Sequence, residues 1–231
     1  MSTATLSSDL PKIATLAFYP QQRPGFRIYA LWHFSTFMLL WHVVGQTWLG
    51  FEQAWSHPML TIAVAVATQF FLEWVDAKAN KRIPRYAGSY ANFLNFFPPA
   101  SIVGGALGML LYPNELLGPA IFASVISIAS KVLVRVTLPN GQKHHIFNPS
   151  NFGICVILLM FPDVVGIAPP YHFTENLTGA WHWALPSIIL CSGLFLHYNA
   201  TGRLPLCLTW LSCFAIQAIV RSLINGNAWY V

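Results

Sequence analysis

Along this chain apolar residues neither alternate nor recur once per helical turn; they run together in long stretches separated by short polar clusters. The stretches cover 28–50, 59–75, 93–112, 119–136, 180–198 and 204–224. Each is close to the roughly 20 residues that a helix needs to cross a bilayer core about 30 Å thick. A seventh run, 149–161, is about 20 Å long as helix and crosses fully only if it continues through Pro162 and Asp163. The pattern predicts an all-α integral membrane protein with six or seven transmembrane helices, one of them broken or half-length near 148–162. Residues 1–27 form an N-terminal cytoplasmic segment, and 28–231 a single helical transmembrane domain.

The polar clusters between the runs sort by charge. With the N-terminus in the cytoplasm, Lys12, Arg23, Arg27, Lys78, Lys81, Arg82, Arg85, Lys131, Arg135, Lys143 and Arg203 share one side, leaving only Arg221. Glu52, Glu115, Asp163 and Glu175 fall on the other, as the positive-inside rule requires. The sorting holds only if the 149–161 run counts as a crossing. Trp32, Trp48, Trp55, Trp74, Trp181, Trp183 and Trp229 lie near the ends of the runs, where amphipathic rings prefer the headgroup level. The N-terminus lacks the basic start of a signal peptide, so the chain is expected to keep it.

Composition sharpens this picture. Apolar residues make up 55% and charged residues 8% of the chain, against about 25% charged in soluble domains. A water-soluble enzyme, a disordered regulator and a free nucleic-acid binder are excluded. The net charge of +5 is therefore read as topology. Cys155, Cys191, Cys207 and Cys213 all fall in apolar runs with no Cys-x-x-Cys pair, which predicts small buried hydrophobes.

Polar residues inside a span are costly and usually face the bundle interior. Ala120, Ser124, Ser127 and Lys131 step by four, three and four along one face, and Gly104 and Gly108 form a small-residue pair suited to close helix packing. Lys131 either snorkels inward over that packing face or stands in a polar cavity. Gln69, Glu73 and Asp76 form a second stripe, with Glu73 either a cation or proton site or the partner of the Lys78–Arg85 cluster. His33 and His42 lie on opposite faces of one helix, which argues against a haem pair. His57, His172 and His182 could meet on the outer side, as interfacial side chains or as a zinc or copper site, but no short metal-ligand spacing links them; no metal is expected.

Regular helix breaks in two places. Asn92, Asn95, Pro98, Pro99 and Ser101 crowd the start of the third run, where the prolines remove two backbone donors. The second break follows a hairpin predicted over 134–138 and 143–147 about Pro139-Asn140-Gly141. There Asn148 is a good N-cap and Pro149 a favourable first helical residue. A half-length helix starting so sharply presents free amides and its positive dipole end, as in transporter and phosphate sites. The turn is either a ligand or pathway element or a tight structural elbow. The candidate site residues are Asn148, Pro149, Ser150, Asn151, Lys131, Ser127, Ser124, Asn95 and Glu73. No nucleophile–base pair or paired carboxylates point to an independent enzyme.

The string His145-Ile146-Phe147-Asn148-Pro149-Ser150-Asn151-Phe152-Gly153, followed by an aliphatic run to Met160-Phe161-Pro162, resembles a membrane-subunit family. Its members include the D subunit of Rnf electron-transport complexes and the B subunit of the sodium-pumping NADH:quinone reductase. The stand-alone membrane proteins associated with enediyne biosynthesis are more similar still. The likeness covers roughly 92–162. It implies broken helices near the midplane, a partial inverted repeat, and in the redox subunits flavin joined through phosphate to a threonine. Here the nearest string is Thr178-Gly179-Ala180-Trp181, whose acceptor position is Trp181, so noncovalent flavin is the form considered. The family members compared continue beyond the position of Val231, so the expectation is either a complete repeat that draws on a second chain or a reduced version of it. Three functions follow as expectations: a subunit of a redox-linked or ion-translocating assembly, a channel or transporter acting at the Asn148–Pro149 break, or a scaffold subunit. The partners are the bilayer and other membrane subunits or further copies of the chain, with no nucleic acid.

Overall fold

The computed structural model describes residues 26–137, 141, 143–169, 172–198 and 204–225. The chain is mostly helical. Its helices are α1 (Phe26–Val44), α2 (Ser56–Ala79), α3 (Tyr90–Phe96), α4 (Pro98–Leu110), α5 (Leu117–Leu133), α6 (Pro149–Met160), α7 (Trp181–Leu196) and α8 (Leu204–Asn225). Among the described residues four segments are long and apolar enough to cross a membrane: Ile28–Leu49, Ser56–Ala79, Tyr90–Leu110 and Leu204–Ile224. The runs at 119–136 and 180–198 yield shorter helices of 17 and 16 residues, about 25 Å each. Trp229, expected near a span end, and Lys12, Arg23 and Arg203, expected on the cytoplasmic side, lie outside the described residues.

Leu31–Pro186 forms one compact unit, and the described residues outside it belong to a second. In the second unit α8 carries its apolar side chains outward; Trp210 and Phe214 stack on its surface with ring centroids 5.6 Å apart.

In the first unit the small-residue positions decide which helices touch. A Cβ at Gly104 would lie 2.5 Å from Ile62 Cα, and one at Gly108 would lie 2.7 Å from Pro58 Cα. Only glycine lets α4 approach the α2 backbone this closely, and the rising number on α4 against the falling number on α2 makes the pair antiparallel. Gly153 does the same for α6: a Cβ there would overlap Ser127 Oγ and lie 2.9 Å from the Ala123 carbonyl of α5. Ala65, Ala100, Val103, Leu107, Ala123, Ile128 and Ile157 fill the core between these four helices. α1 runs alongside α3 and α4, joined by a ladder of polar contacts. Trp32 Nε1 donates to Asn95 Oδ1 at 2.9 Å, the Ser35 and Ser101 hydroxyls meet at 2.6 Å, and His42 Nε2 lies 2.9 Å from the Gly105 carbonyl.

Two small antiparallel pairings mark opposite ends of this unit. β1 (Leu111–Tyr112), which follows α4, pairs with β4 (Gly166–Ile167) in the register Leu111↔Ile167. The predicted hairpin is present but shorter, as β2 (Arg135–Thr137) and β3 (Lys143–His145), at the far end of α5. Its turn residues Pro139 and Asn140 lie outside the described residues, while Gly141 has φ 78°. The chain from Asn148, beside the hairpin, to Ile167, paired with Leu111, thus runs from one end of the unit to the other. Lys78, Lys81, Arg82, Arg85, Arg135 and Lys143 gather at the hairpin end; Glu52, Glu115, Asp163 and Glu175 gather at the β1–β4 end.

One expectation is corrected. The cysteines are not buried: Cys155, Cys191 and Cys213 are exposed and Cys207 is half-buried. In a protein whose outward faces are as apolar as its core, residence in an apolar run says nothing about which face a residue takes.

Candidate functional site

The third span does not pass through the Pro98–Pro99 break as one helix. α3 begins at Ser89, whose hydroxyl accepts the Asn92 amide at 3.1 Å, and ends before two residues that lack N–H groups. Phe97 N turns back to Leu94 O at 3.1 Å, and Ala100 N and Ser101 N both go to Phe97 O at 3.1 and 3.2 Å. The carbonyl of Phe96 is left over. Gln69 Nε2, from α2, supplies its donor at 2.5 Å, and the other end of the same amide, Oε1, accepts from Lys131 Nζ of α5 at 3.1 Å. Three helices therefore meet at the break through one side chain. Lys131, half-buried, lies inside the bundle; Asn95, next to Phe96 in sequence, accepts instead from Trp32 of α1.

Gln69 was legible only as the first member of a polar stripe, and its role depends on the Phe96 carbonyl, which loses the Ala100 amide to Phe97 O at the break. The rest of the stripe does different work. Glu73 is 6% exposed and is clamped by Arg82 Nη1 at 2.5 Å, Arg85 Nε at 3.2 Å and the Arg85 amide at 2.8 Å. Asp76 pairs with the other nitrogen of Arg82. The Glu73 bond first, then that to Asp76, holds the Arg82 guanidinium well above its ordinary range. Of the two readings of Glu73, the structure realises the partner of the basic cluster.

The Asn148 turn has the geometry its residues dictate. Asn148 caps α6, its Oδ1 accepting Ser150 N at 3.2 Å and the Ser150 hydroxyl at 2.9 Å, with Pro149 in the first turn. Pro149 and Ser150 are buried, while Asn151 is exposed. The cap thus spends its oxygen on its own helix. Ser124 returns its hydroxyl to Ala120 O at 2.9 Å, and Ser127 faces Gly153 with its Oγ buried and unpartnered. The structure brings Lys131 to the Pro98 break, and it joins Ser124 and Ser127 to α6 through packing. It does not bring Glu73, Asn95 and Asn148 into one site.

The β1–β4 end holds a second polar group, which the sequence did not reveal. His172 is 5%, His57 8% and His42 4% exposed, whereas His182 is exposed, so the three outer histidines are not alike interfacial side chains. His172 stacks on Phe51 at 3.4 Å between centroids, meets Phe173 edge-on at 5.4 Å, and its Nδ1 lies 3.2 Å from the Tyr112 hydroxyl. Burial first, then the neighbouring His42, holds the His172 imidazolium below the usual histidine range. Among the described residues no group of three His, Cys, Asp or Glu is arranged to hold a metal. The Thr178-Gly179-Ala180-Trp181 string ends at the first residue of α7, where Trp181 meets Trp48 edge-on at 5.2 Å. An indole offers no hydroxyl to a flavin phosphate, so covalent attachment at that position does not fit.

No family model, curated protein or solved structure matches this chain.

Proposed function

We propose that the chain is a multi-pass membrane subunit of a redox-linked or ion-translocating assembly, similar in its Asn-Pro-Ser half-helix to the Rnf and sodium-pumping reductase subunits. The basic hairpin end faces the cytoplasm. The segment from Asn148 to Ile167 serves as a crossing despite the shortness of α6, giving seven in all. The N-terminus is then cytoplasmic. The exposed apolar faces of α1, α2 and α8 contact lipid or neighbouring subunits.

The observation that carries the reading is Lys131. An amine within the membrane is costly and is retained where it does something. All three ion pairs among the described residues belong to Arg82 and Arg85; Lys131 is held instead by a neutral amide at a broken helix. Its charge is oriented but not cancelled, which suits a group that senses or releases a passing ion. The test is ion movement in vesicles carrying the chain within its native assembly. Lys131→Met and Gln69→Leu should abolish coupled movement while the assembly still forms, and Lys131→Arg should retain part of it. Undiminished movement in both Lys131→Met and Gln69→Leu removes the proposal. Flavin absorbance of the same preparation separates the redox-linked form from a plain channel, in which substitution of Asn148 and Pro149 should stop flux.

A scaffold role is favoured by one fact: none of the apolar window of Leu204–Ile224 is buried. It predicts that crosslinkers placed at Trp210 and Phe214 capture partner helices, with every Lys131 variant fully active.

A further inference from the structure

Buried polar atoms in folded proteins are nearly always paired, so a group of unpaired ones asks for an explanation. At the β1–β4 end, Trp41 Nε1, His42 Nδ1, Gln46 Nε2 and His172 Nε2 are all buried without a partner. They are tied together by intervening rings. A Cβ at Gly45 would fall on the Phe51 ring, Phe51 stacks on His172 at 3.4 Å, and Trp41 meets Phe173 at 6.3 Å. His42 follows Trp41 and His172 precedes Phe173 in the chain, so this ring contact brings the two histidine-bearing segments together.

The two imidazoles share a pattern. His42 uses Nε2 on the Gly105 carbonyl, an acceptor only, so Nε2 carries the proton and Nδ1 keeps its lone pair. His172 uses Nδ1 on the Tyr112 hydroxyl and leaves Nε2 free. One nitrogen anchored to an oxygen and the other bare is the arrangement of metal-binding histidines, in which the anchored nitrogen fixes tautomer and orientation. With Tyr112 accepting from Nδ1–H, Nε2 of His172 also offers a lone pair.

We infer that His42 Nδ1 and His172 Nε2 form a two-imidazole site for a soft monovalent cation of the Cu(I) class. Charge selects the ion. Glu52 and Glu175, the acidic residues in the neighbouring chain segments, are exposed, so a dication would enter a buried site with no anionic ligand. A monovalent ion brings half that charge, and the ring faces of Phe51, Tyr112 and Phe173 favour a cation over them. Imidazole nitrogen is a ligand that suits copper, and among the first-row metals it suits, copper is the one with a common monovalent state.

The test uses the full chain in detergent micelles, without oxygen and with ascorbate, titrated with Cu(I) against the chromophoric chelator bicinchoninate. All proteins carry Ala in place of the four cysteines to remove thiol binding. The chain should withdraw about one equivalent of Cu(I), and His42→Gln and His172→Gln should each weaken binding about tenfold or more. His33→Gln and His182→Gln should bind as the parent does. X-ray absorption at the copper edge should show imidazole nitrogen ligation, a readout that stands even if a histidine variant does not fold. If the parent leaves all copper with the chelator, the unpaired nitrogens hold water only and the inference fails. It fails equally if both glutamine variants bind like the parent, or if the edge spectrum lacks imidazole.

Discussion

The hairpin end and the β1–β4 end of the Leu31–Pro186 unit treat buried polar groups in opposite ways. At the hairpin end Glu73 has two guanidinium partners and a backbone amide, Asp76 shares Arg82, and Lys131 and the stranded Phe96 carbonyl are joined by one glutamine. At the other end His42, His57, His172, Trp41 and Gln46 each keep a buried nitrogen unpaired. Pairing makes the hairpin end a lock, and the lack of it leaves the other end ready for a ligand. Ser127 Oγ is the described exception on the locked half, and it is pressed against Gly153.

The largest test of the lock is the double substitution Arg82→Met and Arg85→Met. It leaves the Glu73 carboxylate, at 6% exposure, with only the Arg85 amide as partner and should lower the unfolding midpoint more than any change below. Unfolding in detergent by heat or denaturant reads this directly. If the midpoint does not fall, water reaches Glu73 and the lock is a surface feature. Next comes Gly104→Ala, whose Cβ would lie 2.5 Å from the Ile62 backbone; it should cost about 1–3 kcal/mol by overpacking. Gly118→Ala, in α5 with nothing within 4 Å of its Cβ, is the control and should raise the midpoint slightly through helix propensity alone.

The open end makes a smaller, pH-dependent prediction. The folded state holds the His172 pKa below its ordinary value near 6.5, so the unfolded chain takes up a proton first as pH falls. The associated stability is whole above pH 6.5 and lost as pH drops from there to the folded-state pKa. His172→Phe should flatten that part of the stability profile; a profile of unchanged slope shows that His172 is not the group responsible. Smallest of all, Ser35→Ala removes the 2.6 Å contact with Ser101 and should cost about 0.6 kcal/mol, the average for hydrogen bonds between membrane helices.

How much of this could be read from the chain depends on the range of the cause. Asn148 as a cap, Pro149 behind it, the β2–β3 hairpin and the Gly104/Gly108 contact were legible, because each follows from a few neighbouring residues. The break at Pro98 was visible too, but not its consequence, since the donor for Phe96 O comes from Gln69 on another helix. Exposure of the cysteines was illegible for a different reason: in a membrane protein both faces of a helix are apolar, so periodicity no longer separates core from surface. His42 and His172 are far apart in the chain, and only the folding of the Phe51 loop and the β1–β4 pairing brings them together. Trp32 fitted an interfacial anchor by position, yet its indole N–H is committed to Asn95.

Every functional reading rests on the two ends lying on opposite sides of a membrane. Single cysteines at Asn114, Gly141 and Asp163, introduced one at a time into a chain lacking its native cysteines, test this in sealed cells with a membrane-impermeant maleimide. All three positions are exposed. Asn114→Cys and Asp163→Cys should be labelled from outside, and Gly141→Cys only after the membrane is opened. Labelling of Gly141→Cys and Asp163→Cys from the same side would contradict the arrangement, because the Asn148–Ile167 segment would then turn back without crossing.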